Sequence, residues 1–291
     1  MAFKPGFDQS PAFNDAGRNA WGNGAYGAGA PSGQAPYGQQ APYGRAGGQP
    51  LTPEQLQYMY DRPAAGPVET DRMSYEDTIV KTLVAFGVLV VGAVIGWMVP
   101  ALMIVGVIGG FVLALVNTFK RRPSPALVLT YAGLEGLFVG GISQVFNTQW
   151  DGIVAQAVFG TLGVFAVTLL LFTSGKVRAT PKATRFFLVA MLGYLAFSLV
   201  NLVLMWTGVT HSAFGLLNVT LFGIPLGVLI GILVVLMAAY SLVLDFDQIK
   251  TGVERGAPRI YGWTAAFGLI VTLVWLYLEI LRILAILRGN D

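Results

Sequence analysis

Cysteine is absent from this 291-residue chain, and histidine occurs once, at His211. Neither a disulfide framework nor a cysteine metal site is therefore available, and His211 cannot build a metal site by itself. Charge is equally scarce. Asp, Glu, Lys and Arg make up 11% of the residues, whereas a soluble domain carries about 25%, so the chain is not a soluble globule. The net charge of +3 is modest and comes mainly from short basic loops. It carries topology information, and no nucleic-acid partner is expected. Also missing are a GxxxxGK[ST] phosphate loop, an HExxH metal helix and any nucleophile–base set with a local signature. Carboxylates with neither a histidine nor a cysteine partner argue against hydrolase chemistry. Neither an enzyme nor a cofactor is expected.

What fills the chain is hydrocarbon: 55% hydrophobic residues and a mean hydropathy of +0.65. Seven apolar stretches follow one another, at about 80–99, 101–119, 125–146, 153–172, 186–206, 221–244 and 263–287. Each approaches the roughly 20 residues that cross about 30 Å of hydrocarbon. All seven are expected to be helices, because an open strand leaves its backbone groups unpaired in lipid. The fold class is thus an all-α, seven-helix membrane bundle occupying residues 73–291. Only Pro100 and its neighbours separate the first two spans, which predicts a tight helical hairpin. Ser74, with Asp77 three residues on and acids in the first turn, marks a helix start that runs into the first span.

Residues 1–72 differ from the rest. They are rich in Gly, Ala, Pro, Gln and Tyr, with Tyr-Gly recurrences at Tyr26, Tyr37 and Tyr43. Such a composition buries too little apolar surface to offset chain entropy, so a disordered tail is expected. It has no early apolar run after a basic start, and so does not read as a secretory signal. A handle for a cytosolic partner is a sharper reading that the pattern alone does not establish.

Basic residues alternate between loops. Lys120, Arg121 and Arg122 follow the second span; Lys176, Arg178, Lys182 and Arg185 the fourth; Lys250, Arg255 and Arg259 the sixth. The loops around Pro100, 147–152 and 207–218 have no Lys or Arg. By the positive-inside rule the tail is cytoplasmic and the C-terminus outside, with Arg288 snorkelling to headgroups.

Ionisable groups in the spans are the candidate functional residues, since a charge in hydrocarbon costs at least about 2.5 kcal/mol by insertion scales. Asp245 and Asp247 are expected to close the sixth span at a helix C-terminus, where the dipole disfavours them and calls for compensation. Asp247 also reads simply as a boundary charge. Glu279 lies inside the seventh span, three residues from Arg282 and on the same face. The pair is either an ion pair fastening the last helix or a proton sensor held between a cation and a buried setting. Glu135, in the third span, sits among Gly133, Gly136, Gly140 and Gly141, which permit close helix approach. It is either a third pathway acid or a hydrogen-bonded structural residue. Asn117 and Asn201 read as interhelical glue. Hard cations such as Ca²⁺ take oxygen ligands, and Asp245 with Glu279 would form at most a weak, transit-type site.

Seven spans, the Glu135-Gly136 pair, the acid of Leu244, Asp245, Phe246, Asp247, Gln248, and the run Leu276, Tyr277, Leu278, Glu279, Ile280 together resemble the Bax inhibitor / YccA family (the transmembrane Bax inhibitor motif superfamily), including its bacterial branch. The resemblance covers about residues 75–287. Phe246 and Asp247 replace the Thr and Gln of the family's sixth-span signature, and Glu279 replaces an Asp. The resemblance implies a pH-sensitive calcium leak in the cell membrane, in which Asp245 and Glu279 share a proton and gate a pore. Asp247, Arg282 and Glu135 would support them. The interval from Asp245 to Glu279 is longer than the family's by roughly two helical turns, which bears directly on whether they meet. The resemblance also implies an alternative, a non-transporting regulator of a membrane protease of the FtsH type. A small-molecule transporter gains little, since no internal repeat of the spans is visible.

Overall fold

The computed structural model describes residues 71–210, 214–221 and 223–289, together with Gln57. The tail expected to be disordered lies outside the described residues except for Asp71, Arg72 and Gln57, as does His211. Seven helices are long and apolar enough to cross a membrane. They are α1 (Tyr75–Met98), α2 (Met103–Phe119), α3 (Pro125–Gln149), α4 (Ile153–Thr173), α5 (Pro181–Trp206), α6 (Leu226–Glu254) and α7 (Gly262–Arg288). The protein is an all-α membrane bundle.

Local chemistry fixes several helix ends. The Ser74 hydroxyl accepts the Asp77 backbone N–H at 3.2 Å, as its spacing predicts. Thr180 caps α5 by accepting from Ala183 N at 3.3 Å. Proline occupies the first position of α3 and of α5, where its missing N–H costs nothing.

Two expectations need correction. The sixth helix does not end at Leu244: it starts at Leu226, after a two-stranded turn (Thr220–Leu221 with Ile224–Pro225), and runs on to Glu254. Asp245 and Asp247 therefore lie within regular helix and not at its dipole end, and Lys250 is on the helix too. The apolar run ends at Leu244, but the helix does not, because nothing in DFDQIKTGVE breaks it. The first two helices are joined tightly through a 3₁₀ turn, Pro100–Leu102. Both pack chiefly on α3, however, and not on each other.

Glycine explains that choice. A Cβ on Gly92 or Gly96 of α1 would collide with the Gly133 or Leu137 carbonyls of α3, and one on Gly136 or Gly140 would collide with those of Leu89 or Ala93. Two GxxxG pairs thus interlock backbone against backbone. On the other side of α3, a Cβ on Gly106 would sit 2.6 Å from the Leu134 oxygen.

Helix α7 is the axis of the bundle: 56% of its membrane window is buried, against 11% for α2 and for α5. Its Ile270 and Val274 pack with Ala85 and Leu89 of α1 and Tyr131 of α3. Tyr277 and Leu281 pack with Ile153 and Ala157 of α4, while Leu269 and Leu276 pack with Ala238 and Leu242 of α6. In α5 only Asn201 is buried; Phe197 packs on the cluster of Leu217, Val228 and Ile286, and Phe187 on Tyr240.

Arg72 bridges to Pro258; Met73 N donates to Ala257 O at 2.7 Å and Arg259 N to Asp71 O at 2.9 Å. Asp77 then pairs with Lys81 and with Arg259, the latter at 2.7 Å. The chain entering α1 is stapled to the α6–α7 loop.

Candidate functional site

The sequence-predicted acids fall on the seam between α6 and α7, at two separate levels. At the first, the Thr272 hydroxyl donates to Asp245 Oδ2 at 2.7 Å, and Ser241 Oγ lies 3.3 Å from the same hydroxyl. Gly268 leaves room for the carboxylate, since a Cβ there would sit 3.1 Å from Asp245 Oδ1. Phe246, buried and packed between Phe165 and Phe172 of α4, orients this turn of α6. It holds Asp245 toward α7, while Asp247 lines a separate cavity with Lys250.

At the second level, Glu279 is 3% exposed. Its carboxylate pairs with Arg282, one turn on, and accepts from the Tyr194 hydroxyl of α5 at 3.3 Å. Arg282 Nη1 also donates to that hydroxyl at 2.9 Å, closing a triangle across two helices. Gly231 of α6 lets the acid approach: a Cβ there would lie 3.4 Å from Glu279 Oε1.

The structure does not bring Asp245 and Glu279 together. Asp245 engages α7 at Thr272, and Glu279 lies two helical turns further on, about 10 Å by axial rise. The pair expected to share a proton is instead two stations, each with its own partners. The interval between the two motifs runs through the continued α6 helix, to Glu254, and the loop before α7. Nor is a shared metal shell formed: no group of three or more His, Cys, Asp or Glu side chains that could hold an ion occurs among the described residues.

Glu135 is half-buried between α2 and α3. Its neighbours are Tyr131, one turn earlier, and Gly110 of α2, where a Cβ would lie 3.0 Å from Glu135 Oε2. It stands apart from both stations. Asn117 of α2 donates to Leu127 O of α3 at 3.3 Å. Asn201 does not tie helix to helix; it holds the α5–α6 loop, donating to Phe214 O at 3.2 Å and accepting Leu216 N at 2.8 Å.

These elements repeat the order that the motifs imply, and a family model described as Bax inhibitor 1 like matches residues 5–289. The chain belongs to the Bax inhibitor 1 like family. No curated protein matches it closely enough to count as a relative. The family match begins at residue 5, so it takes in most of the tail that the span motifs alone leave outside. Within this Bax inhibitor 1 like chain, sequence reasoning missed Tyr194, Thr272 and Ser241. Hydroxyl residues are common in membrane helices and carry no local signature. Only the helical register of Thr272 and Glu279, seven residues apart on one face, hinted at a polar stripe.

Proposed function

We propose that this protein is a pH-sensitive Ca²⁺ leak of a cell membrane, neither an enzyme nor a cofactor carrier, with its basic loops on the cytoplasmic side. The observation that carries the reading is the polar stripe of α7: Thr272 with Asp245 at one level, Glu279 with Arg282 and Tyr194 at the next. It is lined by acids inside a bundle that otherwise buries hydrocarbon, where such groups mark ion or proton pathways.

The two stations suit different tasks. Asp245 is the cation-attracting oxygen site nearer the basic loops. Glu279 is the latch: its ionised form attracts Arg282 and accepts from Tyr194, tying α5 to α7. As pH falls, protonation removes the negative charge, so the attraction is complete at high pH and lost at low pH. Acid therefore favours the state in which α5 and α7 part. This replaces a shared-proton dyad by two acids acting in series.

Purified protein in liposomes loaded with a Ca²⁺ indicator tests the reading. Asp245→Asn is expected to lower flux at every pH, and Glu279→Gln to remove the pH response. Absence of flux in all forms, together with capture of a membrane protease that depends on residues 1–67, would favour the regulator reading instead.

A further inference from the structure

Helix α7 carries Thr272 and Glu279 on one face, and its opposite face closes a large cavity. The wall residues Ile270, Val274 and Tyr277 lie about half a turn around the helix from Thr272 and Glu279. The cavity, about 760 Å³, is a lateral groove between α1 and α4 with α3 and α7 as its floor. It follows α1 from Thr82 to Met98, about 24 Å of helix. Its rim is apolar and exposed: Leu83, Val90 and Met98 on α1, Val158 and Leu162 on α4.

All four hydroxyls in its lining are already bonded within the protein. Thr82 donates to Thr78 O and Thr161 to Ala157 O; Ser143 bonds to Val139 O and to the Tyr277 hydroxyl. With its hydroxyls satisfied, the groove offers only the Trp97 indole N–H as a free donor, short of the two or more polar partners that ordered water needs. Its opening faces the bilayer, where hydrocarbon is the solvent.

A second cavity, about 320 Å³, lies among the basic-loop ends of α1 and α4, the loop after α4 and the last turns of α6. It is bounded by Tyr75 of α1 and by Phe172 and Thr173 of α4, each about two helical turns beyond the groove's last residues, Thr82 and Phe165. Its walls carry both signs of charge: Arg178, Lys250 and Asp247. Arg178 has no carboxylate within ion-pair distance among the described residues, and Lys250 has only Glu254, at 3.8 Å and exposed.

A polar pocket of mixed charge lies about two helical turns from the near end of a dry groove along a transmembrane helix, an arrangement that offers a headgroup site and an acyl-chain site to one lipid. We infer that the α1–α4 cleft binds a single glycerophospholipid whose headgroup bears a phosphate and a primary ammonium, of the phosphatidylethanolamine type. Arg178 and Lys250 take the phosphate, Asp247 takes the ammonium, and one acyl chain enters the groove from its Thr82 and Phe165 end. A headgroup with phosphate but no amine would leave Asp247 facing an anion. The site goes beyond the leak reading and does not depend on it, since it uses the face of α7 away from the acids.

Native mass spectrometry of the delipidated full-length chain in detergent, titrated with phosphatidylethanolamine, phosphatidylcholine or phosphatidylglycerol, tests this. The expected result is one saturable phosphatidylethanolamine adduct, preferred over the other two. Arg178→Gln, an exposed change that leaves the core intact, should weaken it about tenfold, the effect of losing about 1.4 kcal/mol. Asp247→Asn should erase the preference over phosphatidylglycerol, and Val158→Trp, which fills the groove, should remove the adduct. No saturable adduct, a wild-type preference for phosphatidylglycerol, or an adduct indifferent to Arg178→Gln and Val158→Trp would overturn the assignment.

Discussion

The Thr272 hydroxyl donates to Asp245 at 2.7 Å across the α6–α7 seam, so the acid of the sixth helix is answered by a neutral hydroxyl and not by the acid of the seventh. Replacing Thr272 by Val preserves shape and removes the donor. Leaving one partner of a half-buried pair unsatisfied costs about 1–3 kcal/mol. Thr272→Val should lower the unfolding temperature in detergent by a few degrees and change Ca²⁺ flux without altering its pH response. An unchanged melting curve would show that Asp245 takes its stabilisation elsewhere.

Glu279 and Arg282 form a pair whose members are worth more together than apart. Arg282→Met strands a buried carboxylate, a loss of about 3–5 kcal/mol for a broken buried pair. The double variant Glu279→Gln with Arg282→Met should recover much of that, because no charge remains to be desolvated. A double-mutant cycle read by thermal unfolding checks this, and strict additivity of the two single changes would contradict it.

The interlocked glycines make a sharp steric forecast. Gly140→Ala drives a methyl into the Ala93 carbonyl, a backbone contact that cannot rotate away, and overpacking of this kind costs about 1–3 kcal/mol. At Gly163 of α4 and Gly193 of α5 an added methyl would have nothing within 4 Å, so Gly163→Ala and Gly193→Ala should be neutral or slightly stabilising. Expression level and thermal unfolding of the three variants separate the outcomes.

At the basic-loop end, Asp77 receives both Lys81 and Arg259. Asp77→Asn weakens the staple between α1 and the loop before α7 by about 1 kcal/mol, as expected for a partly exposed pair. The Met73 amide, which donates to Ala257 O, should then exchange its hydrogen faster. Hydrogen-exchange mass spectrometry of that segment provides the check, and unchanged protection would assign the staple to the backbone bonds alone.

The seven spans were legible because hydrocarbon thickness writes itself into run length, and the Glu279–Arg282 pair because three residues on a helix share a face. The true end of α6 was not. Hydropathy reports where the bilayer stops, whereas the helix continues as long as propensity allows, here to Glu254. Nor was the partner of Asp245, since a neutral hydroxyl seven residues before Glu279 answers it, and a hydroxyl carries no motif. Gly136 and Gly140 gave a weak GxxxG whose partner, Gly92 with Gly96, was readable only once α1 and α3 were known to lie side by side. Tyr194 was invisible, because α5 reaches the site through one hydroxyl and brings no motif with it.

The most direct test of two acids acting in series is Ca²⁺ flux into liposomes measured from pH 8 to pH 5 for the wild type, Glu279→Gln and Asp245→Asn. The account predicts wild-type flux that rises as pH falls, Glu279→Gln flux that is high and flat across the range, and Asp245→Asn flux that is low but still rises with acid. A Glu279→Gln protein that kept the wild-type pH response, or an Asp245→Asn protein that lost it, would contradict the division of labour between the two stations.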